Sequence, residues 1–485
     1  MVNFRLVSKI IGSLLFIEAM FMAACLVMAF VFHEDDVMAF LMSTLLTFSG
    51  GFLFLYCGRS ADTSLSRRDA YVVVTATWVI FSAFGMLPYL IHGSIANLAD
   101  AFFESMSGFT TTGCSILPDV ERLPHGMLFW RSLTQWIGGL GIVFFTIAIL
   151  PSLVGGTVKV FAAEATGPLR SKFHPKLSTN AKWIWSIYIL LTVGCGLAFW
   201  GAGMNWFDAI NHSMTTTATG GFSTHNDMCA FFQSPVIDYT AALFQFLAGI
   251  NFTLLYLSIF KLKLGSVLGN SEFRFYFFTV VIATAAIMFM LVTRLDYTLE
   301  HALRAALFQV VSFMTTTGVY SDDVASWPHF TWIILGLLMM LGACAGSTTG
   351  GIKCVRGVML FSVLRNEFRQ IMHPNAVLPV RVGGQSVPQG KLVSLLAFLA
   401  LFVLMLILTT TFMIVVGVDH TNAIMIALSC MSNVGPTLAN DIGPAMSWAE
   451  LSAPVKWILS LLMLMGRLEI MTVLVIFSRS FWKDN

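Results

Sequence analysis

The chain has 485 residues, of which 57% are hydrophobic and only 11% are charged. A water-soluble core of this length could not hide so much apolar surface, so the composition excludes an ordinary soluble globular protein and predicts one that lipid solvates. The net charge of +2 is close to zero, and we find no basic patch that would indicate a nucleic-acid partner.

Apolar windows of about 20 residues, the length that crosses about 30 Å of hydrocarbon, recur along the chain. The sequence therefore predicts a multi-pass membrane protein, and an even number of spans places both termini on one side. The predicted spans lie near residues 10–32, 37–56, 70–91, 132–150, 183–202, 239–260, 275–293, 331–364 (interrupted), 392–417 and 455–477.

The Lys and Arg residues lie mostly on one side of this predicted topology, in segments such as 57–69, 151–182 and 351–391. By the positive-inside rule this side is cytoplasmic, so both termini are predicted to be cytoplasmic. Arg5 and Lys9 before the first window would also suit a signal peptide. That window is too long for one, so we predict that the first span is retained.

A pattern of span, half-length apolar stretch, glycine-ended loop and second span occurs four times. The half-length stretches at 99–110, 206–217, 300–314 and 420–432 cannot cross a bilayer, so we expect re-entrant helices. Ordinary outer loops are the alternative, which the fourfold recurrence disfavours. The prediction is an all-α polytopic membrane protein with four pseudo-symmetric repeats around a central pore. Its parts are two peripheral N-terminal helices at 1–57 and repeats at 70–150, 183–260, 275–364 (with a broken inner helix) and 392–478.

The four glycine-ended loops carry the residues that we predict to bind a permeating cation. Glycine adopts backbone angles that aim successive carbonyl groups inward, and it leaves no side chain in the passage. Rings of carbonyl oxygens replace part of the hydration shell of an ion, and converging helix C-termini favour a cation. One such turn is a weak signal, whereas four are a strong one. The predicted binding residues are Thr111, Thr112, Gly113, Thr219, Gly220, Gly221, Thr316, Thr317, Gly318, Asn433, Val434 and Gly435.

A second irregular segment, residues 342–353, interrupts the span predicted at 331–364. Its run of Gly, Ser and Thr is a poor helix former, so we interpret it as an intramembrane loop that blocks or opens the path. The alternatives are a helix kink for packing and a phosphate-binding loop, which is disfavoured because Ile352, not Lys, follows the last glycine. The predicted gating residues in this segment are Gly346, Ser347, Thr348, Thr349, Gly350 and Gly351.

Arg467 is predicted to gate together with this segment. A charge near the middle of an apolar span is costly and by default functional, and in a cation path it would raise a barrier. The alternative is a structural arginine paired with Glu469 or with helix-end carbonyls. Glu469 lies two residues further along and faces another side of the helix, so that pair is not automatic.

Other ionisable residues and the cysteines carry weaker signals. Glu104, Asp119 and Glu121 lie in outer segments and could concentrate cations at the mouth, although solvated loop acids are the simpler description for most such residues. The 8 Cys residues form no CxxC pair, so neither a disulfide framework nor a metal site is predicted.

The four loop motifs resemble those of the TrkH-type membrane subunit of the Trk/Ktr/HKT superfamily of potassium transporters. The most specific matches are residues 110–115, 218–224, 314–318 and 432–436. The resemblance implies potassium uptake across the bacterial inner membrane by a protein that is not an enzyme. It further implies that K⁺ ions in the pore, rather than a covalent cofactor, are bound. A Na⁺- or H⁺-coupled carrier of the same superfamily is the alternative.

The resemblance also implies an assembly and a gate. It implies a homodimer with one pore in each protomer and a cytosolic ring of RCK-type nucleotide-binding regulatory subunits. The segment 342–351 would lie under the selectivity filter, which the four glycine-ended loops would form, and Arg467 would line the cavity beneath that filter. In plant relatives a serine at the first filter glycine accompanies sodium transport, so Gly113 favours K⁺.

Overall fold

The computed structural model describes residues 2–60, 66–141, 177–376, 378–383, 385–438 and 447–483. In these ranges the fold is helical, as predicted, apart from one antiparallel hairpin of Arg381–Val382 (β1) and Gln385–Ser386 (β2). The α-helices are α1 (Phe4–Phe32), α2 (Val37–Cys57), α3 (Arg67–Gly85), α4 (Leu87–His92), α5 (Leu98–Phe109), α6 (His125–Gly139), α7 (Leu177–Gly201), α8 (Trp206–Ala218), α9 (Pro235–Ala248), α10 (Phe252–Ile259), α11 (Leu264–Leu268), α12 (Ser271–Leu295), α13 (Leu299–Met314), α14 (His329–Leu341), α15 (Cys354–Met372), α16 (Gln389–Val415), α17 (His420–Ser432), α18 (Ala453–Leu468), α19 (Ile470–Leu474) and α20 (Arg479–Trp482).

Six stretches of helix in the described part of the chain are long and apolar enough to cross a membrane. They are α1, α2, α3 together with α4, most of α7, α12 and α16. Many of their large apolar side chains are exposed, as expected for helices whose outer faces contact lipid. The chain is therefore a polytopic membrane protein.

Two predicted spans, 239–260 and 455–477, are not straight helices. The first bends by 104° between α9 and α10, where the Asn251 side chain accepts a hydrogen bond from the amide of Thr253 and caps α10. The second bends by 115° at Glu469, whose φ of 68° no right-handed helix can contain.

The predicted interruption of 331–364 is present, since α14 ends at Leu341 and α15 begins at Cys354. The predicted span 132–150 starts earlier, with α6 at His125. Its part beyond residue 141 lies outside the described residues.

The four short helices α5, α8, α13 and α17 lie where the re-entrant stretches are predicted. They contain 12, 13, 16 and 13 residues, so at about 1.5 Å per residue none exceeds about 24 Å, which is less than the hydrocarbon thickness. Each starts at a residue whose side chain accepts a hydrogen bond from an amide of the first turn. These caps are Asn97, Asn205, Thr298 and Asp419.

The short helices pack in a cycle. Helix α8 packs on α6, α13 on α9, α17 on α14, and α5 on α18 near the C-terminus. Helices α8, α13 and α17 therefore each contact a helix of the segment before their own, and α5 of the first segment contacts α18 of the last. This packing brings the C-terminal ends of all four short helices together. Helices α1 and α2 pack against each other at the edge, where α1 contacts α3 and α6.

Candidate functional site

Each of the four short helices ends in the same unusual backbone conformation. The residue two positions before the glycine has a φ between 53° and 56°, and the glycine itself has a φ between 72° and 99°. A positive φ is ordinary for glycine, but it costs about 1–3 kcal/mol for other residues and is rare for β-branched ones. Such strain persists only where the surrounding structure imposes it. The pairs are Thr111 and Gly113, Thr219 and Gly221, Thr316 and Gly318, and Asn433 and Gly435.

The same hydrogen bond closes each of the four turns. The amide of the residue before the glycine donates to the carbonyl oxygen five residues earlier, at 2.9 Å in three segments and 3.0 Å in the fourth. This bond satisfies a carbonyl that the helix end leaves without a partner. The bonds join Thr112 to Ser107, Gly220 to Thr215, Thr317 to Ser312 and Val434 to Ser429.

The four turns form a closed ring in chain order. A β-carbon added at any of the four glycines would collide with a backbone carbonyl oxygen of the next segment, so only glycine fits. All twelve predicted binding residues belong to these turns and are therefore brought together. The opposed groups are Gly113 and the carbonyl of Gly220, Gly221 and that of Thr317, Gly318 and that of Val434, and Gly435 and that of Thr112.

The ring is not symmetric. The carbonyl oxygen of Gly220 accepts a hydrogen bond of 2.7 Å from the side-chain amide of Gln135, which also accepts one of 3.0 Å from the amide of Phe222. Sequence reasoning missed Gln135, whose only signal is an amide inside an apolar stretch. In the fourth segment the side chain of Asn433 donates to the Thr112 hydroxyl at 2.9 Å and so ties the last turn to the first.

The segment 342–353 lies directly against the ring residues. Its backbone and hydroxyl groups bond to the ends of three short helices, in addition to a 3.3 Å contact between the Thr348 and Thr219 hydroxyls. An added β-carbon at Gly350 would collide with the Ser432 carbonyl. The bonds are from the Thr348 hydroxyl to the Thr217 carbonyl (3.1 Å), from the Gly350 amide to the Thr316 hydroxyl (2.7 Å), and from the Gly351 amide to the Ser432 carbonyl (3.0 Å).

The other predicted gating residues shape this segment internally. The Ser347 hydroxyl donates to the Cys344 carbonyl at 2.6 Å and lies 2.8 Å from the Thr349 hydroxyl. Gly346 has a φ of 77°. The buried ammonium group of Lys353 donates to the Thr349 carbonyl. Lys353 was not among the predicted gating residues.

Arg467 joins the segment 342–353 to the C-terminal end of α6. Its guanidinium donates to the Thr348 carbonyl at 2.6 Å and to the carbonyls of Gly138 and Gly139, at the end of α6, at 2.7 and 2.6 Å. A cation is favourable at a helix C-terminus, where the carbonyl groups lack partners. Glu469 bonds to Arg356 at 2.6 Å, and the bonds of Arg467 to the end of α6 are the helix-end carbonyl contacts that the structural alternative predicts.

Two cavities with no lining residue in common lie at this centre. The first is lined by three of the ring glycines, Gly113, Gly221 and Gly435, together with loop residues that include His225. The second is lined by Ser347, Thr349 and other residues of the 342–353 segment, and by the charged side chains of Lys353, Arg356, Arg467 and Glu469. The interrupting segment thus lines the second cavity and also contacts the ring.

The comparisons with known proteins agree with this arrangement. Residues 37–484 match the family described as TrkH, cation transport protein. The chain belongs to the TrkH family. It is 35% identical over 488 residues to the Trk system potassium uptake protein TrkH of Escherichia coli K12, covering 99% of this chain and 100% of that protein. It is 31% identical to the TrkG protein of the same organism, covering 99% of each chain.

The structural comparison gives the same family. The crystal structure of the potassium transporter TrkH from Vibrio parahaemolyticus superposes with a TM-score of 0.90 and 32% identity, covering 99% of this chain and 100% of that one. The predicted family and helical membrane fold are therefore confirmed. A member of this family of cation transport proteins is a transporter and not an enzyme.

A buried ion pair braces the first two turns of this TrkH-family chain. Glu104 on α5, interpreted above as an outer loop acid, is fully buried and accepts from the Arg131 side chain at 3.0 Å. The same guanidinium donates to the Ser223 carbonyl at 3.1 Å and to the Ser115 hydroxyl at 3.2 Å. The interpretation of Glu104 as a solvated acid is wrong because it overlooked Arg131, which is distant in sequence.

We expect Glu104→Ala to destabilise the protein strongly, because it leaves the Arg131 guanidinium buried without its carboxylate. Breaking one side of a buried ion pair costs about 3–5 kcal/mol. The measurement is the midpoint of thermal unfolding in detergent, followed by size-exclusion chromatography. Arg122→Met is the matched control, because Arg122 pairs with Asp119 at 2.8 Å while its side chain is 87% exposed. Equal losses in both variants would contradict the bracing role.

Further ion pairs join neighbouring segments. Asp208 bonds to His225 at 3.0 Å, and His225 contacts Glu121 at 3.3 Å. Burial alone would raise the pKa of Asp208, but hydrogen bonds from His225 and Thr224 outweigh it and hold that pKa at about 2. Burial alone would lower the pKa of His225, yet the two carboxylates raise it above its ordinary value. Two other pairs are Lys456 with Asp100 at 2.7 Å and Arg304 with Asp238 at 2.5 Å.

Proposed function

We propose that this chain takes up K⁺ across the bacterial inner membrane through the ring of glycine-ended loops. The observation that carries the proposal is the closed ring, in which each glycine lies against a backbone carbonyl of the next segment. Backbone carbonyls held in fixed positions can replace the hydration shell of K⁺. The relatives from E. coli and V. parahaemolyticus are a potassium uptake protein and a potassium transporter, which supports the same ion.

In this proposal the twelve residues of the four turns form the selectivity filter, and the interrupting segment with Arg467 forms the gate. The contacts of Thr348 and Gly350 with the turns support a gate that occludes the filter from one side. The Arg467 guanidinium stabilises the closed segment and adds a positive charge to the path. The bound species is K⁺ in transit, with no covalent cofactor.

We further propose that two copies of the chain form a homodimer with a pore in each protomer, and that a cytosolic RCK-type subunit controls the gate. The resemblance to the superfamily supports both, and the relatives' membership of a Trk system supports a partner. The excess of basic residues on one side supports a cytoplasmic location for both termini.

The test is growth and Rb⁺ uptake in cells that lack their other potassium uptake systems. Cells that express the chain with its regulatory partner are expected to grow at low external K⁺ and to accumulate Rb⁺. The controls are cells with the partner alone and cells with an empty vector. Absence of Rb⁺ uptake with the partner present would contradict the proposal. Uptake that collapses with the Na⁺ or proton gradient at constant membrane potential would instead support the coupled carrier.

A further inference from the structure

We propose that Asn251 and Glu272 are positioning residues that hold the base of the interrupting segment, residues 342–346 and 352–353. Gating then moves only its tip, residues 347–351. The inference deepens the proposed function and rests on its assignment of this segment as the gate. Neither residue belongs to the turns of the ring. Both bond to the backbone of Ala345, one to its carbonyl and the other to its amide.

The break between α9 and α10 is a docking place for the base of the segment. The side-chain amide of Asn251 donates to the Ala345 carbonyl at 2.6 Å. The adjacent amide of Phe252 donates to the Gly346 carbonyl at 3.0 Å, and the carbonyl of Gly249 on the other side of the break accepts from the Cys344 amide at 3.1 Å. Two backbone groups at the break are thus satisfied by Cys344 and Gly346, and the Asn251 side chain holds Ala345 between them.

Glu272 joins the two ends of the segment. It lies in the first turn of α12 with only 7% of its surface exposed. One carboxylate oxygen accepts from the amide of Ala345 at 2.6 Å and from the amide of Val355, in the first turn of α15, at 3.1 Å. A single buried carboxylate therefore ties the entry and the exit of the segment together.

The base and the tip bond to different partners. At the base, the two ends of the segment also bond to each other. The Cys354 amide donates to the Ala343 carbonyl at 2.8 Å, and the Lys353 amide donates to the Leu341 carbonyl at 2.9 Å. The tip bonds instead to the ends of the short helices and to Arg467. Moving the tip out of the path breaks the second set, together with the bond from Lys353 to the Thr349 carbonyl, while the first set stays in place and returns the tip to the same position.

The first test is Asn251→Ser in reconstituted vesicles, with Rb⁺ uptake measured without the regulatory partner. Serine retains the cap of α10, which Asn251 provides by accepting from the Thr253 amide at 2.9 Å, but it cannot reach Ala345. Without this buried bond the base is less well ordered, so forming the contacts of the tip in the closed state must also order the base, and partner-free uptake is expected to rise roughly fivefold. The ratio of Rb⁺ to Na⁺ uptake is expected to stay unchanged, because the ring is untouched.

The matched control is Asn97→Ser, which makes the same substitution at the cap of α5, where the side chain accepts from the Ala99 amide at 2.9 Å. It is expected to leave partner-free uptake at the level of the unsubstituted chain. A second variant pair separates hydrogen bonding from charge at the other position. Glu272→Gln retains an acceptor oxygen and is expected to stay near the unsubstituted level, whereas Glu272→Ala is expected to raise uptake roughly tenfold.

Three outcomes would overturn the inference: partner-free uptake that falls or stays constant in Asn251→Ser, a parallel change in ion selectivity, or equal uptake by Glu272→Gln and Glu272→Ala. Uptake is normalised to the amount of monodisperse protein, so that low uptake caused by a folding defect is not mistaken for a closed gate. The unsubstituted chain with its partner is measured in parallel. Absence of Rb⁺ uptake there contradicts the proposed function itself, whereas normal uptake there with no effect of the variants contradicts only the positioning role.

Discussion

Gly113→Ser is expected to lower the selectivity of uptake for K⁺ over Na⁺ roughly tenfold and to reduce K⁺ flux. Gly113 has a φ of 83°, and an added β-carbon there would collide with the Gly220 carbonyl. Relieving the collision displaces a ring carbonyl, and strain of this kind amounts to about 1–3 kcal/mol. If the ring is the proposed filter, the distorted ring no longer holds its oxygens at the distance that suits K⁺. The measurement is Rb⁺ and Na⁺ uptake by the same vesicles.

Gly93→Ser is the matched control for this change. Gly93 also has a φ of 83°, but a β-carbon there meets no atom within 4 Å. The control thus carries the same backbone strain without a collision, and it is expected to retain normal selectivity. Unchanged selectivity in Gly113→Ser would refute the role of the ring as the filter. Equal losses in the two variants would attribute the effect to general destabilisation.

Arg467→Ala is expected to raise unstimulated Rb⁺ uptake by about tenfold or more. The substitution removes hydrogen bonds to Thr348, Gly138 and Gly139, and bonds of a charged donor contribute about 1.5–3 kcal/mol. It also removes a positive charge from the path of a cation. Both effects favour an open path, so the direction of the change is the same for each. The measurement is uptake by vesicles without the regulatory partner.

Arg467→Lys separates these two contributions. Lysine keeps the charge but lacks the planar fork that reaches the segment and the end of α6 at once. If the hydrogen bonds dominate, uptake by the lysine variant approaches that of Arg467→Ala. If the charge dominates, it stays near that of the unsubstituted chain. Unchanged uptake in Arg467→Ala itself would support the structural alternative, in which this arginine only joins helices.

The short helices and their turns could be predicted from the sequence because their signals are local. A half-length apolar stretch and a glycine at a fixed position need no knowledge of distant residues, and the fourfold recurrence strengthens each. The bend at Asn251 could not be predicted in this way. Hydropathy changes little there, and the break is stabilised by Ala345 and Gly346, which are distant in sequence. An asparagine two residues after a glycine, inside an apolar stretch, was the available signal.

The charged residues show the same limit. Arg467 is conspicuous because it lies inside an apolar span, whereas Glu272 lies at the start of one, where charges are common. The burial of Glu104 depends on Arg131, and the engagement of the Gly220 carbonyl depends on Gln135. Each of these depends on a contact between separate segments, which only the folded chain brings together. Periodicity within one segment carries no information about such contacts.

The cyclic packing has a consequence for biosynthesis. The last contact of the ring joins Asn433 to Thr112, which are 321 positions apart, and Lys456 joins Asp100 across an even longer separation. Helices enter the membrane in order as the ribosome extends the chain, so the first turn waits for its partner until almost the whole protein has been made. A nascent or truncated chain that lacks the fourth turn has an incomplete ring. By the time that turn closes the ring, the interrupting segment 342–353, which precedes it in the sequence, has already been made, whereas Arg467 is added afterwards.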